Sequence, residues 1–160
     1  RRKSGRGYCI EERKKVISEV SQKFRTNIYT HNDTSYLTYV NNMGSVDYYN
    51  IMPFVFRYSR INLNITLRSI KSGMPLRAID IMGAGGFLLT NYQSDFLNDF
   101  IPGEDLVMYE SIDDCVNKCS YYLKHEDERK RIAYNGYKKV KEKYNYIYRI
   151  KQILDIVDSR

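Results

Sequence analysis

Cysteine is scarce in this 160-residue chain, and long apolar runs and internal repeats are missing from it. The three cysteines, Cys9, Cys115 and Cys119, are odd in number and form no double pair of the zinc-binding kind. They therefore offer neither a disulfide framework nor a zinc ribbon, and read as reduced, partly buried thiols. No stretch approaches the roughly 18 apolar residues that a spanning helix needs. No secretory leader is visible, so a cytoplasmic location is expected. The length suits one domain with a full core and is too short for two of ordinary size. Two tripeptides of the glycosylation type, Asn32-Asp33-Thr34 and Asn64-Ile65-Thr66, carry no weight, the second lying in what reads as a buried strand.

The net charge of +7 arises from 26 Lys and Arg against 19 Asp and Glu. Such a surplus is compatible with a nucleic acid, an anionic membrane surface or a phosphate-bearing ligand, and does not choose among them. The basic residues of the first fifteen positions and of Lys138 to Lys143 read as a solvated tail and a solvated face. A hydrophobic content of 42% beside 28% charged residues is ordinary for a soluble globular protein.

The most informative stretch runs from Gly73 to Thr90, where a turn, a short helix, a glycine hinge and an apolar strand follow without spacers. Gly73 permits a tight turn, and Pro75 suits the first helical position, where its missing N–H is no loss. Leu76, Ile79 and Met82 recur at helical spacing on one face, with Arg77 and Asp80 on another. Gly83, Gly85 and Gly86 stop the helix. Phe87-Leu88-Leu89 has no polar alternation, as expected of a strand covered on both faces.

Residues 1–9 are basic, glycine-containing and read as a flexible segment. An amphipathic helix follows over Ile10 to Phe24, with Val16, Ile17, Val20 and Phe24 as its apolar stripe. Asn27 to Thr30 reads as a strand, and His31-Asn32-Asp33 as the turn behind it. Residues 33–43 read as irregular, with tyrosines over the sheet edge. Gly44 to Asp47 suggests a short strand leading to a helix that Asp47 caps and that runs over Met52 to Tyr58. Ile61 to Thr66 reads as a strand carrying Asn62 and Asn64 on one side. Asparagine is a poor strand former, so these amides either bond neighbouring loops or face a cleft. Leu67 to Ser72 is a polar loop. Beyond Thr90 come a loop over Asn91 to Asp95, a short helix to Phe100 capped by Ser94 or Asp95, a Pro102-Gly103 turn and a strand over Asp105 to Tyr109. A helix opened by Ser111 with a capping-box-like pattern, an acid-led helix to about Lys143 and a last helix over Tyr146 to Val157 complete the chain.

Strands alternating with helices at these separations indicate an α/β fold, a Rossmann-like doubly wound parallel sheet with helices on both faces. Ligands of such sheets bind at the carboxyl ends of the strands, so the loops after Ile65 and Thr90 are expected to border one cleft. His31, Val46, Asn64, Thr90 and Asn91 are its candidate residues. The helix beginning at Pro75 points its unpaired N–H groups into that cleft, where an anion such as a phosphate is stabilised.

Ser59 to Asn64, Gly73 to Arg77, Asp80 to Thr90 and the acid-led helix with Arg129, Ile132-Ala133 and Gly136 together resemble the C-terminal half of GT-B glycosyltransferases. The order and spacing over residues 44–154 are most similar to the CgeB-like, spore-maturation branch of the group 1 glycosyl transferases, a bacterial type. The resemblance implies a donor domain that binds a nucleotide-diphosphate sugar, with UDP or GDP as the nucleotide, as a co-substrate and with no other cofactor. It implies that Asp80 bonds the ribose hydroxyls, a role for which a carboxylate's two oxygens are suited. Ser72, Gly73, Met74, Pro75, Leu76 and Arg77 would meet the diphosphate and sugar, with Arg60 or Arg68 as further counter-charges. No metal is required where helix N–H groups and cations stabilise the leaving diphosphate. The related pattern has Glu at two positions eight apart; here they are Asp80 and Ser72, which shortens one reach by a methylene and removes one carboxylate from the donor sugar. No catalytic residue is assigned. The acceptor, a glycan or a protein, is unidentified. The resemblance places the acceptor in an N-terminal half that this chain has no room for, so the 160 residues are expected to bind a donor without transferring it.

The competing reading is a basic α/β module for nucleic acid, using the Lys and Arg surplus and the sixteen tyrosines as stacking platforms. No aromatic–basic motif of known spacing supports it. A non-catalytic scaffold on carbohydrate surfaces is a weaker third.

Overall fold

The computed structural model describes residues 5–66 and 73–145 with residues 150, 154, 155 and 157, and side chains from residue 11 onward. In chain order the elements are α1 (Gly5–Lys23), β1 (Thr26–Ile28), β2 (Val40–Asn42), α2 (Met52–Tyr58), β3 (Asn62–Asn64), α3 (Leu76–Gly83), β4 (Leu88–Asn91), a 3-10 helix (Ser94–Asn98), β5 (Val107–Tyr109), α4 (Ile112–Lys124) and α5 (Glu126–Lys143). The expected loop over Leu67 to Ser72 lies outside the described residues, as does most of the last helix expected over Tyr146 to Val157.

All strand pairs are parallel: β1 with β2, and β3-β4-β5 in that order. The fold is thus the expected Rossmann-like α/β arrangement, but among the described residues the strands hydrogen-bond as two groups and not as one sheet. Successive residues of a strand point to opposite faces, and the two cores follow that alternation. Phe87, Leu89, Val107 and Tyr109 pack with Val16 and Val20 of α1 and with Cys115, Val116 and Cys119 of α4. Leu88, Leu106 and Met108 pack on the other side with Phe56 of α2, Ala78, Ile81 and Met82 of α3 and Val140 of α5. Each fully buried residue of the Leu89 kind contributes about 1.5–3 kcal/mol of transfer free energy, and both faces gain it. Cys115 and Cys119 are buried thiols on the core side of α4, as their spacing indicated.

Local corrections have physical causes. Residues 33–43 are not wholly irregular, because Val40–Asn42 forms β2 by pairing in register with Thr26–Ile28. Gly44 to Asp47 is not a strand: Asp47 turns the chain instead, its carboxylate accepting the N–H groups of Tyr49 at 3.0 Å and Asn50 at 2.6 Å. The buried stripe of α3 is Ala78, Ile81 and Met82, leaving Leu76 80% exposed. Pro75 is the N-cap of α3 and not its first residue. Neither Ser94 nor Asp95 caps the 3-10 helix, which begins behind Gln93 without a side-chain cap. Ser111 does cap α4, its hydroxyl accepting the Asp114 N–H at 3.1 Å. The turn from α3 into β4 is so tight that a Cβ on Gly86 would lie 2.6 Å from the Phe56 carbonyl oxygen and 2.7 Å from the Asn62 amide nitrogen. No helix among the described residues is long and apolar enough to cross a membrane.

Candidate functional site

The carboxyl ends of β3, β4 and β5 open into a cavity of about 640 Å³. Its walls are Ile65 and Thr66 after β3, Asn91 to Asp95 after β4, Tyr109 to Ile112 after β5, Glu12 and Val16 of α1, and Gly73 before α3. The volume lies in the range of small-molecule sites.

A hydrogen-bonded network ties the ends of β3 and β4 together. The buried Asn64 amide donates to the hydroxyls of Thr66 and Thr90, each at 3.0 Å. Asn91 clamps the chain after β3 from both sides, accepting the Thr66 N–H at 2.7 Å and donating to the Thr66 carbonyl at 3.2 Å. The strand asparagines thus bond neighbouring segments: Asn62 likewise donates to the Phe56 and Phe87 carbonyls. On the α1 side the Arg13 guanidinium donates to the Ile65 carbonyl at 2.8 Å.

Two lining side chains carry buried polar atoms with no partner among the described residues, the Tyr109 hydroxyl and the Gln93 Oε1. Tyr109 is 4% exposed. Burial, with Cys115 and Glu12 nearby, pushes its phenol pKa well above the ordinary value, so the group is a neutral donor and acceptor. Gly73, with φ of 95°, turns the chain into α3 and donates its N–H to the Asp95 carboxylate.

Beside the cavity, α3 presents a second cluster. Asp80 accepts a hydrogen bond from the Tyr48 hydroxyl. Burial comes first, and the Asp80 bond second, in pushing the Tyr48 phenol pKa up. The Arg77 guanidinium lies 5.0 Å from the Tyr48 ring centroid and 5.6 Å from that of Phe56, a cation–π arrangement in place of an ion pair with Asp80. Met74 is partly buried, its sulfur 3.7 Å from the Tyr144 hydroxyl. Among the described residues no group of three His, Cys, Asp or Glu side chains is placed to hold a metal ion.

The sequence candidates therefore divide. Gly73 and Asn91 line the cavity, while Asn64 and Thr90 do not line it and are bonded to each other at the strand ends, Asn64 also holding the lining residue Thr66. Met74, Pro75, Leu76, Arg77 and Asp80 lie on the α3 side, and Val46 packs against the core beneath α2 and α3. His31 is exposed in the turn after β1 and does not line the cavity. Arg60 precedes β3, at the edge opposite the strands' carboxyl ends, where it adds to Lys130 and Arg129 in holding the Glu126 carboxyl below its usual value. Ser72 and Arg68 lie outside the described residues. Sequence reasoning missed Glu12, Tyr48, Gln93, Tyr109 and Ser111. The carboxyl-end rule, carried on from β3 and β4 to the strand ending at Tyr109, would have found the last two.

Parallel strands, helices on both faces and a cavity at the carboxyl edge define a Rossmann-like α/β domain. Over residues 12–155 the sequence matches the family described as glycosyl transferase-like, and the chain belongs to that family. No curated protein matches it in a sequence search. Its fold is that of the C-terminal half of GT-B glycosyltransferases. It is similar to Alr3699/HepE of Anabaena, solved in complex with UDP and glucose, with a TM-score of 0.71 at 10% identity, covering 91% of this chain and 44% of that one. It is also similar to the C-terminal domain of the group 1 family glycosyl transferase LpcC of Francisella tularensis, with a TM-score of 0.63 at 18% identity, covering 86% of this chain and 80% of that domain. The chain thus spans less than half the length of the Anabaena protein.

Proposed function

We propose that this domain is the donor-binding half of a glycosyltransferase of the CgeB-like branch, taking a nucleotide-diphosphate sugar whose glycosyl group passes to an acceptor held by an N-terminal half. The observation that carries the reading is the cavity at the carboxyl edge of a parallel sheet in a chain of glycosyl transferase-like sequence. UDP is the first nucleotide to try, because the Anabaena neighbour was solved with UDP and glucose.

In this reading Asp80 accepts from the ribose hydroxyls, with Tyr48 orienting its carboxylate. The segment from Gly73 to Arg77 meets the diphosphate, where the first N–H groups of α3 stabilise negative charge and Arg77 supplies a cation. Departure of the nucleotide is then assisted without a metal. Nucleic-acid binding is not favoured, since a walled cavity and a glycosyl transferase-like sequence give it no support.

Titration calorimetry with UDP and GDP tests this. Saturable binding of one nucleotide, lost in Asp80→Ala while the circular dichroism spectrum is kept, is expected. Unchanged affinity in that variant removes Asp80 from the site, and binding of neither nucleotide removes the reading.

A further inference from the structure

In the proposed donor site the Gly73 N–H meets the diphosphate, yet in the structure that N–H is already taken. It donates to the carboxylate of Asp95, a residue of the segment that follows β4. A backbone amide carries a single donor, so one anion holds it at a time. The bond is charge-assisted and so stronger than one to a neutral acceptor.

The chain holds Asp95 in place for this. It sits in the first turn of the 3-10 helix, whose Phe96 is fully buried. Its carboxylate is turned to Gly73, and the helix start is left without a side-chain cap. Four residues on, Asp99 accepts the Tyr144 hydroxyl at 2.5 Å, and the same hydroxyl lies 3.7 Å from the Met74 sulfur. The stretch from Asp95 to Asp99 therefore grips the entrance of α3 at two successive residues, Gly73 directly and Met74 through Tyr144. Among the described residues no ammonium or guanidinium pairs with Asp95. Its charge thus meets any anion that approaches Gly73, and two anions in contact with one N–H repel strongly at the dielectric of a protein surface.

We propose that Asp95 is an internal anion that stands in for phosphate at Gly73 in the empty domain, so that a donor diphosphate binds only by displacing its carboxylate. This rests on the donor-binding reading and adds to it how the site is regulated. The contact is the resting state, and apparent affinity for a diphosphate falls with the fraction of molecules that hold it. Return of the carboxylate to Gly73 favours departure of the nucleoside diphosphate.

Calorimetry with UDP and uridine on the wild type, Asp95→Asn and Asp95→Ala tests this, with Asp113→Asn, an exposed acid of α4, as the control for charge alone. UDP is expected to bind both Asp95 variants about 10-fold more tightly, whereas uridine, which has no phosphate, gains nothing. The control is expected to match the wild type. Weaker UDP binding in Asp95→Ala would show that the carboxylate shapes the site for the diphosphate, and overturns the inference. An equal gain in the control, or for uridine, overturns it too. Hydrogen exchange reads the contact itself: the Gly73 amide is expected to exchange about 10-fold faster in Asp95→Ala, and an equal rate refutes the contact. UDP binding that Asp80→Ala abolishes and the Asp95 variants leave unchanged overturns the inference alone. Binding of neither UDP nor GDP by the wild type and both Asp95 variants overturns the donor-binding reading and the inference with it.

Discussion

The Tyr48 hydroxyl donates to Oδ2 of Asp80, tying the segment after β2 to the second turn of α3. A bond between two elements that are distant in sequence couples their stabilities. Tyr48→Phe and Asp80→Ala are each expected to cost about 0.5–1.5 kcal/mol in urea denaturation, and the double variant about as much as the costlier single one. Fully additive losses would show that the two residues act independently.

Asn64 is expected to be the least replaceable residue of the network at the ends of β3 and β4. Its amide is the partner of both Thr66 and Thr90 hydroxyls, and all three residues are buried. Asn64→Leu keeps the branched shape but removes both bonds, leaving two buried hydroxyls to find others, at about 1–3 kcal/mol. Asn64→Asp is expected to be worse than Asn64→Leu at neutral pH, because a buried carboxylate brings a charge and no N–H. Equal urea midpoints for the two variants would refute the role assigned to the amide.

How far the sequence disclosed this arrangement depends on what each signal measures. Ser111 was legible as a cap because a hydroxyl three residues before an N–H satisfies it locally, whatever the rest of the chain does. The stripe of Cys115, Val116 and Cys119 was legible for the same reason, as periodicity within one helix. β2 was not, since Val40-Asn41-Asn42 has poor strand propensity and owes its conformation to pairing with β1. The site shows the same divide. Asn91 and Gly73 follow from the carboxyl-end rule and the turn into α3, whereas Glu12 reaches the cavity only because α1 packs on the same face as α4. Arg60 had the right charge, yet the strand it precedes runs toward the cavity and so leaves it at the far edge.

Gly86 tests the packing of α3 against the sheet. A Cβ there would overlap the Phe56 carbonyl oxygen at 2.6 Å and the Asn62 amide at 2.7 Å, and backbone has little room to retreat. Gly86→Ala is expected to destabilise by about 1–3 kcal/mol through this overpacking, although alanine is otherwise the more helix-compatible residue. Thermal or urea unfolding measures it. A stability equal to the wild type would mean that the turn between α3 and β4 can open without cost.

The acid limb of stability is expected to depend on the start of α4. Partial burial pushes the Asp114 carboxyl up, but Lys118 and the Glu110 N–H outweigh it, and its pKa stays below the ordinary value. The Lys118 ammonium is 2.7 Å from Oδ2 and also donates to the Met108 carbonyl at 2.6 Å, fixing β5 to α4 beside the cavity. A carboxyl whose folded pKa is depressed binds its proton more readily in the unfolded chain. Its contribution is therefore present above the unfolded value of about 4 and is lost as pH falls through the lower folded value. Asp114→Asn removes that dependence: the variant is expected to be less stable than the wild type near pH 7 and to approach it as pH falls below the ordinary carboxylate range. Because the pair is about one-third exposed, 0.5 M salt is expected to narrow the neutral-pH difference by screening. Urea midpoints from pH 7 down to about 2.5 decide the matter, and a difference between the two proteins that does not shrink with acid would exclude titration of Asp114 as its source.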